Sequence, residues 1–391
     1  MQAAARYRCP ASPTAFHVVT IDHGLRARSS AEAADVGAVA RAFGLPHSVR
    51  RWTDASPAGN LQGRARDARY ALLIQAARDL RAEAVMTGHH QDDQIETHFL
   101  AEARHAGDRG LAGMRAQRAL APGLVLLRPF LDIPGPVLKA SLGSHPAVDD
   151  PSNRDPRFDR ARLRQALAVC AFDRDAVLAA IARHAAARDA ADRRLSDCLR
   201  AFGADRKLAV RPVGTVEIDR QALATLAPET AADLLARILR AVGGGDYPPQ
   251  HAARARLWAR LSEDNPSPVA ATLGGVAVRG DRTLHFAREF GRAGPMGVTV
   301  TGPAPTLFDG RFDVDTAGLE DQAVLLVPLG RLGRGNAIEK TLPVALDAAG
   351  RPIAAPACLH AKLGPGVGTL ALQERLSWRL QADLPSHSAS A

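Results

Sequence analysis

The sequence predicts an α/β protein that opens with a mostly parallel sheet covered by helices on both faces. A mostly helical region and a small β-rich C-terminal part follow. Three observations predict this. Short apolar runs alternate with long amphipathic stretches from Phe16 to Arg104, which requires crossover connections and hence parallel strands. The character changes after Asp150, and from about Arg160 to Phe202 alanine and arginine dominate without strand signals. Beyond Gly291 glycine and proline return at short intervals, as in small β structures.

Taken in order, Phe16 to Ile21 (FHVVTI) reads as a buried strand followed by the polar turn DHGLR. Ser29 with Glu32 three residues on is a capping-box pattern and opens a helix that Gly44 ends. His47 to Trp52 is a second strand. Asn60 to Ala82 is a long helix with apolar positions at Leu61, Ala65, Ala68, Leu72, Ala76 and Leu80. Ala84 to Met86 is a short strand, and a helix runs from about Gln91 to Arg104. Residues 160–202 read as helical. Ala222 to Val242 is an amphipathic helix stopped by Gly243, and another runs from Pro249 to about Leu261. Ala271 to Phe286 suggests short antiparallel strands, and Ser386 to Ala391 a disordered tail. The expected domains are 1–190, 191–290 and 291–391.

The 391 residues suffice for two or three cores, and the apolar fraction of 46% is ordinary. The net charge of +9 rests almost wholly on arginine, since Lys139, Lys207, Lys340 and Lys362 are the only lysines. Arginine grips phosphate bidentately, so the bias suits a polyanion such as nucleic acid. A GC-rich coding sequence would give the same bias, and composition leaves both readings open. Cys9, Cys170, Cys198 and Cys358 form no CxxC pair, which argues against a zinc ribbon, an iron–sulfur site and a disulfide framework. No stretch has the length of a membrane span or a signal-peptide core, so no membrane partner and a cytoplasmic location are expected.

The densest chemistry lies in Thr87 to Thr97, TGHHQDDQIET. It follows a strand and opens a helix, the usual ligand crevice of a parallel sheet. Asp93 and Glu96 are three apart, and Asp92 and Glu96 four apart, so the acids occupy neighbouring turns. Capping accounts for one acid, hardly for three. No HExxH is present, and carboxylates facing a nucleotide more naturally hold Mg²⁺ or an ammonium group. Asp22, His23 and Gly24 sit where a nucleotide would meet the first strand, though an ordinary turn uses the same residues. Arg66 and Tyr70 share a helical face with Arg69 nearby, either meeting a phosphate or merely solvated. Arg160 and Arg164, four apart after the DPSN turn at 150–153, could jointly grip a phosphate, or be surface arginines behind an N-cap.

Together and in order, DHGLR (22–26), NLQGRARDARY (60–70), TGHHQDDQIET (87–97), GLAGM (110–114), RPFL (128–131) and DPSNRDPRFDRARLR (150–164) resemble the tRNA(Ile)-lysidine synthetase family. That family is part of the PP-loop ATP-pyrophosphatase group. A weaker likeness continues through 234–245 and 272–289, matching the family's tRNA-binding region, and the last hundred or so residues match loosely. The resemblance implies a PP-loop, adenine-nucleotide α-hydrolase-like fold and a ligase using ATP and Mg²⁺. The 2-oxo group of the wobble cytosine in tRNA(Ile) with a CAU anticodon attacks the α-phosphate of ATP. Free lysine then displaces AMP and leaves lysidine. It implies Asp92, Asp93 and Glu96 as catalytic residues, with Asp93 a Mg²⁺ ligand, and Asp22, His23, Arg66, Gly88 and His89 at ATP. Arg69, Arg104, Arg160 and Arg164 would meet phosphate or tRNA. A homodimer stays open as an assembly state.

Three departures stand out. The family's arginine–glycine pair after the acidic helix is Arg104-His105 here, and Ala161 replaces an asparagine of the late motif. The SGGxDS loop of the group does not occur, and with it the strand before Phe16 is missing. The preferred expectation is that Met1 is an internal methionine and residues 2–8 are the tail of the loop's own helix. A real truncation, leaving a tRNA-binding remnant, is the alternative. As written, the chain is expected to be inactive by itself. The intact mass of the native protein separates the two. A related PP-loop tRNA thiolase is a further alternative, against which the lack of CxxC pairs speaks.

Overall fold

The structure is a computed structural model that describes residues 1–7, 14–24, 29–52, 61–143, 155, 157–263, 267–300, 302, 305–319 and 324–385. Only the backbone is described at residues 61, 62 and 64. Cys9, Leu25, Arg26, Asn60, Asp150 to Asn153 and the tail from Ser386 lie outside the described residues. Contacts divide the chain into two compact units, Met1–Arg188 and Asp189–Ala391.

The first unit begins with helix α1 (Gln2–Arg6), strand β1 (Val18–Asp22), helix α2 (Ser29–Ala42) and strand β2 (His47–Arg51). β1 and β2 pair in parallel, Val18 opposite His47. A parallel pair needs a crossover, which α2 supplies by packing on both strands. Gly44 ends α2 in the left-handed region, φ +67°. Helix α3 (Leu61–Asp79) follows, then β3 (Ala84–Met86), α4 (Gln91–Glu102) and α5 (Asp108–Leu111). Next come β4 (Gln117–Ala121), β5 (Leu124–Leu127), α6 (Gly135–Ala140) and α7 (Asp159–Val169).

β3 pairs in parallel with β5, and β4 is antiparallel to β5. The described strands of this unit thus form two sheets, β1-β2 and β3-β5-β4. Helix α3 packs on β1, β2 and β3 and so connects both. The β4–β5 hairpin has no counterpart in the sequence expectation. Its turn, Pro122-Gly123 with φ +71° at glycine, is short and carries no Asn-Gly signal. Tyr70 and Ala77 of α3 pack against Leu120, Ala121, Leu124 and Leu126 of that hairpin as one small core.

Helix α8 (Arg174–Ala204) begins in the first unit. The second unit continues with β6 (Leu208–Arg211), β7 (Thr215–Asp219), α9 (Arg220–Ala224), α10 (Pro228–Gly243) and α11 (His251–Leu261). After these come β8 (Val269–Leu273), β9 (Val276–Gly280) and β10 (Thr283–Arg288). These five strands form one antiparallel sheet in the order β6-β7-β10-β9-β8. The region is therefore mixed rather than mostly helical. In the hairpin LAVR-PVG-TVEID, β7 alternates buried and half-buried positions from Val216 to Asp219, which a helix-seeking reading passes over. Leu234, Leu235, Ile238, Leu239 and Val242 recur at helical spacing on α10 and are fully buried in one core with Val216, Ile218, Val278, Leu284 and Phe286.

The last segment holds β11 (Val298–Thr299), β12 (Thr306–Phe308), β13 (Phe312–Val314), β14 (Leu325–Pro328), β15 (Pro343–Leu346) and β16 (Pro352–Ala355). It closes with α12 (His360–Leu363), β17 (Gly368–Thr369), β18 (Leu372–Glu374) and α13 (Leu376–Gln381). They build two small sheets, β11-β14-β15-β16-β17 and β12-β13-β18, around Phe308, Phe312, Val314, Leu326 and Val344. Among the described residues no helix is long and apolar enough to cross a membrane.

Candidate active site

Strand β3 delivers Thr87-Gly88-His89-His90 to the first turn of α4, whose N-cap is His90 in extended conformation. Asp93 caps in the expected way, its Oδ2 accepting the His90 N–H at 3.0 Å. Asp93, Gln94, Ile95 and Glu96 are all buried. Buried carboxylates need partners. Asp93 and Glu96 find one in Arg164 of α7, whose Nη2 donates to Asp93 Oδ1 at 3.1 Å and whose Nε donates to Glu96 Oε1 at 2.5 Å. The two carboxylates and one guanidinium form a single charged cluster, and the acids raise the Arg164 pKa above its ordinary value. Glu96 Oε2 is buried with no hydrogen-bond partner. An orphaned carboxylate oxygen beside a second acid suits a cation, either a metal or an ammonium group. Among the described residues no three His, Cys, Asp or Glu gather as a metal cage. Mg²⁺ bound partly by substrate phosphates needs no such cage.

Asp92 points elsewhere. Its Oδ2 accepts the Gly135 N–H at 2.8 Å, and its Oδ1 accepts from Arg174 at 2.5 Å. Burial would raise this carboxyl, but the Arg174 and Gly135 hydrogen bonds outweigh it and hold it below the usual range. A Cβ on Gly135 would lie 2.4 Å from Asp92 Oδ2, so the contact requires glycine. In this structure Asp92 ties α4 to α6 and α8.

Asp22 ends β1 almost fully buried, accepting the Gly24 N–H at 2.9 Å and the Ser30 hydroxyl at 3.0 Å. Hydrogen bonds from Ser29 and Gly24 lower its pKa to about 2, helped by Ser30 and Arg51. Gly24 has φ +62°, a conformation that glycine takes at no steric cost. The His23 ring stands edge-on to Trp52. Gly88 is exposed, with nothing within 4 Å of where a Cβ would be.

His89 Nδ1 shares a 2.9 Å hydrogen bond with Thr87 Oγ1. Burial first, then the charges of Arg128, Arg69 and Arg160 against Asp93, lower its pKa to about 4, so the ring is neutral at pH 7. Arg66 and Arg69 lie 5.2 and 5.4 Å from the Tyr70 ring centre. Arg160 donates to Thr97 Oγ1 at 3.2 Å, and Arg104 pairs at the surface with Asp159. The structure thus brings His89, Asp93, Glu96, Arg69, Arg160 and Arg164 into one neighbourhood. Arg104 sits in a solvent-exposed pair, and Asp22 belongs to the other sheet.

Sequence reasoning missed Gln94, Arg118, Arg128 and Arg174. Gln94 grips Met114 through both backbone groups, its Nε2 donating to the carbonyl at 2.9 Å and its Oε1 accepting the N–H at 2.6 Å. Gly113 is left-handed, and a Cβ there would meet Gln94 Oε1 at 2.7 Å. The GLAGM block was the available signal.

Fold and site define a nucleotide-binding class, and residues 1–170 match the family model of the PP-loop domain. The chain is 38% identical over 312 residues to a tRNA(Ile)-lysidine synthase of Ruegeria pomeroyi, covering 78% of this chain and 71% of the relative. It is 36% identical to the same enzyme of Brucella anthropi, covering 79% and 69% of the two chains. For Brucella melitensis biotype 2 the values are 34%, 82% and 71%. The chain belongs to the tRNA(Ile)-lysidine synthase family.

Proposed function

We propose that this protein joins lysine to C2 of the wobble cytidine of tRNA(Ile) with a CAU anticodon, using ATP. The observation that carries the reading is the Asp93–Arg164–Glu96 cluster with its orphaned Glu96 oxygen, placed where a strand meets a helix in a PP-loop domain. In the first half-reaction the cytosine O2 attacks the α-phosphorus of ATP, the bond to the β-phosphate oxygen breaks and pyrophosphate leaves. In the second, the lysine ε-amine attacks C2, AMP leaves with the oxygen, and the amine releases its proton.

Lysine arrives as an ammonium ion, so a group must hold it and take a proton. The Asp93–Arg164–Glu96 cluster would supply two carboxylates for this, one with a free oxygen. Mg²⁺, held by Asp93 or Glu96 together with phosphate oxygens, would neutralise charge on the triphosphate. Neutral His89, flanked by Arg69 and Arg160, would contact phosphate without adding repulsion between cations. Asp22 and His23 would face the nucleotide from the end of β1. Arg104 would act at the tRNA surface by exchanging Asp159 for a phosphate.

Sulfur transfer is less well supported, because the four cysteines form no CxxC pair. The test is lysine incorporation. Protein isolated from its own cells is incubated with ATP, Mg²⁺, labelled lysine and tRNA(Ile) bearing CAU. Label in the tRNA that depends on ATP supports the reading. Binding of the tRNA without label would sink it and leave a tRNA-binding protein.

A further inference from the structure

Three guanidinium groups crowd one ring. Arg66 and Arg118 each lie 5.2 Å from the centre of the Tyr70 ring, and Arg69 lies 5.4 Å from it. A fourth, Arg128, acts on the Tyr70 hydroxyl while its Nη1 donates to the Arg115 carbonyl. Tyr70 is 9% exposed and Arg128 4%. The Tyr70 hydroxyl and Arg128 Nε are both buried without a hydrogen-bond partner of normal geometry. Among the described residues no carboxylate pairs with Arg66, Arg69, Arg118 or Arg128, although Asp93 and Glu96 on the neighbouring helix are neutralised by Arg164.

Four like charges around a buried phenol repel one another, and a single ring cannot offset them. Only two guanidiniums can stack on its faces. A fold keeps such an arrangement when an anion completes it. Packed elements carry it: α3 holds Arg66, Arg69 and Tyr70, β4 holds Arg118, and Arg128 follows β5. The small core beneath them joins α3 to the hairpin. Planar forks together with a hydroxyl donor match the oxygens of phosphate.

We infer that Tyr70, Arg118 and Arg128 complete, with Arg66 and Arg69, a seat for a phosphate group beside the acidic cluster. The seat has two candidate sources within the proposed reaction, the phosphates of ATP and the tRNA backbone next to the wobble base. Only this choice of source rests on the proposed function.

The experiment measures binding of inorganic pyrophosphate, ATP and a CAU anticodon stem–loop to the full chain by calorimetry at fixed salt. The variants are Arg118→Gln, Tyr70→Phe and, as a charge control outside the seat, Arg193→Gln. Arg118→Gln is expected to weaken at least one ligand about tenfold, the scale of one lost charge-assisted contact. Tyr70→Phe removes one oxygen without disturbing the packing and should weaken the same ligand about threefold. Arg193→Gln should leave it within about twofold. Loss confined to ATP and pyrophosphate identifies nucleotide phosphate, and loss confined to RNA identifies the backbone. If both seat variants are folded by circular dichroism and bind all three ligands like Arg193→Gln, the seat is refuted. It is equally refuted if the unmodified chain binds none of them. Should Arg118→Gln not fold, Tyr70→Phe alone decides. A protein that loses phosphate in these variants yet never incorporates lysine would refute the proposed function and keep the seat.

Discussion

Arg164 shows how one residue changes meaning between sequence and structure. Its spacing from Arg160 suggested a shared grip on phosphate, whereas in the structure it neutralises Asp93 and Glu96. Pairing across about seventy residues of chain is invisible to local periodicity. Replacing Arg164 by Gln leaves two buried acids facing each other and should lower unfolding free energy by about 1–3 kcal/mol, reduced from the fully buried case because Arg164 is partly exposed. Urea titration at pH 7 checks this, and an unchanged midpoint would mean that the acids do not depend on the arginine. Glu96→Gln removes the negative charge and the ability to take a proton without changing shape, and lysine incorporation should fall by about 10² or more while tRNA affinity holds. Two pH windows should separate. His89 has a folded pKa of about 4 against an ordinary 6.5, so the unfolded chain binds its proton first. Stability present above pH 6.5 therefore declines as pH falls towards 4. Asp22, lowered from 3.8 to about 2, adds stability above pH 3.8 that is lost as pH falls towards 2. His89→Asn should flatten only the upper window of a urea-midpoint profile, and loss of both windows together would contradict the assignment.

Among the elements, α4 explains one departure from the family pattern. The helix ends in a Schellman arrangement, with the His105 N–H bonded to the Glu102 carbonyl at 2.8 Å and the Ala106 N–H to the Ala101 carbonyl at 3.0 Å. His105 takes φ +52°, the left-handed position where the family carries glycine. The turn survives the substitution because its hydrogen bonds hold the backbone, at a cost of about 1 kcal/mol. His105→Gly should therefore raise the unfolding free energy from urea titration by about 1 kcal/mol, and a fall would show that the imidazole makes a stabilising contact. Ala161, the other departure, is buried in α7, which packs against α4. On α10, Ile238→Ala removes a fully buried side chain from the larger core and should cost about 2–5 kcal/mol. α10 was legible because its apolar residues follow the helical period. The β4–β5 and β6–β7 hairpins were not, since their strands are short and their turns carry no Asn-Gly or Asp-Gly pair.

For the whole molecule, an excess of nine positive charges predicts binding to RNA that weakens steeply with salt. The logarithm of tRNA affinity should fall linearly with that of salt concentration, and a flat line would remove charge from the account of recognition. Order, spacing and residue type within 22–164 were enough by themselves to place the chain in its family, and strand–helix alternation was enough for the first unit's α/β character. Those features are local in sequence, and local pattern survives whatever the rest of the chain does. Only the tertiary structure decided which acid binds what. It turned Asp92 into a tether and joined Asp93 to Glu96 through Arg164. It also drew Arg118 and Arg128 from a hairpin onto Tyr70 of a distant helix. Such partnerships depend on how buried charges find one another once the elements pack, and no spacing along the chain encodes that.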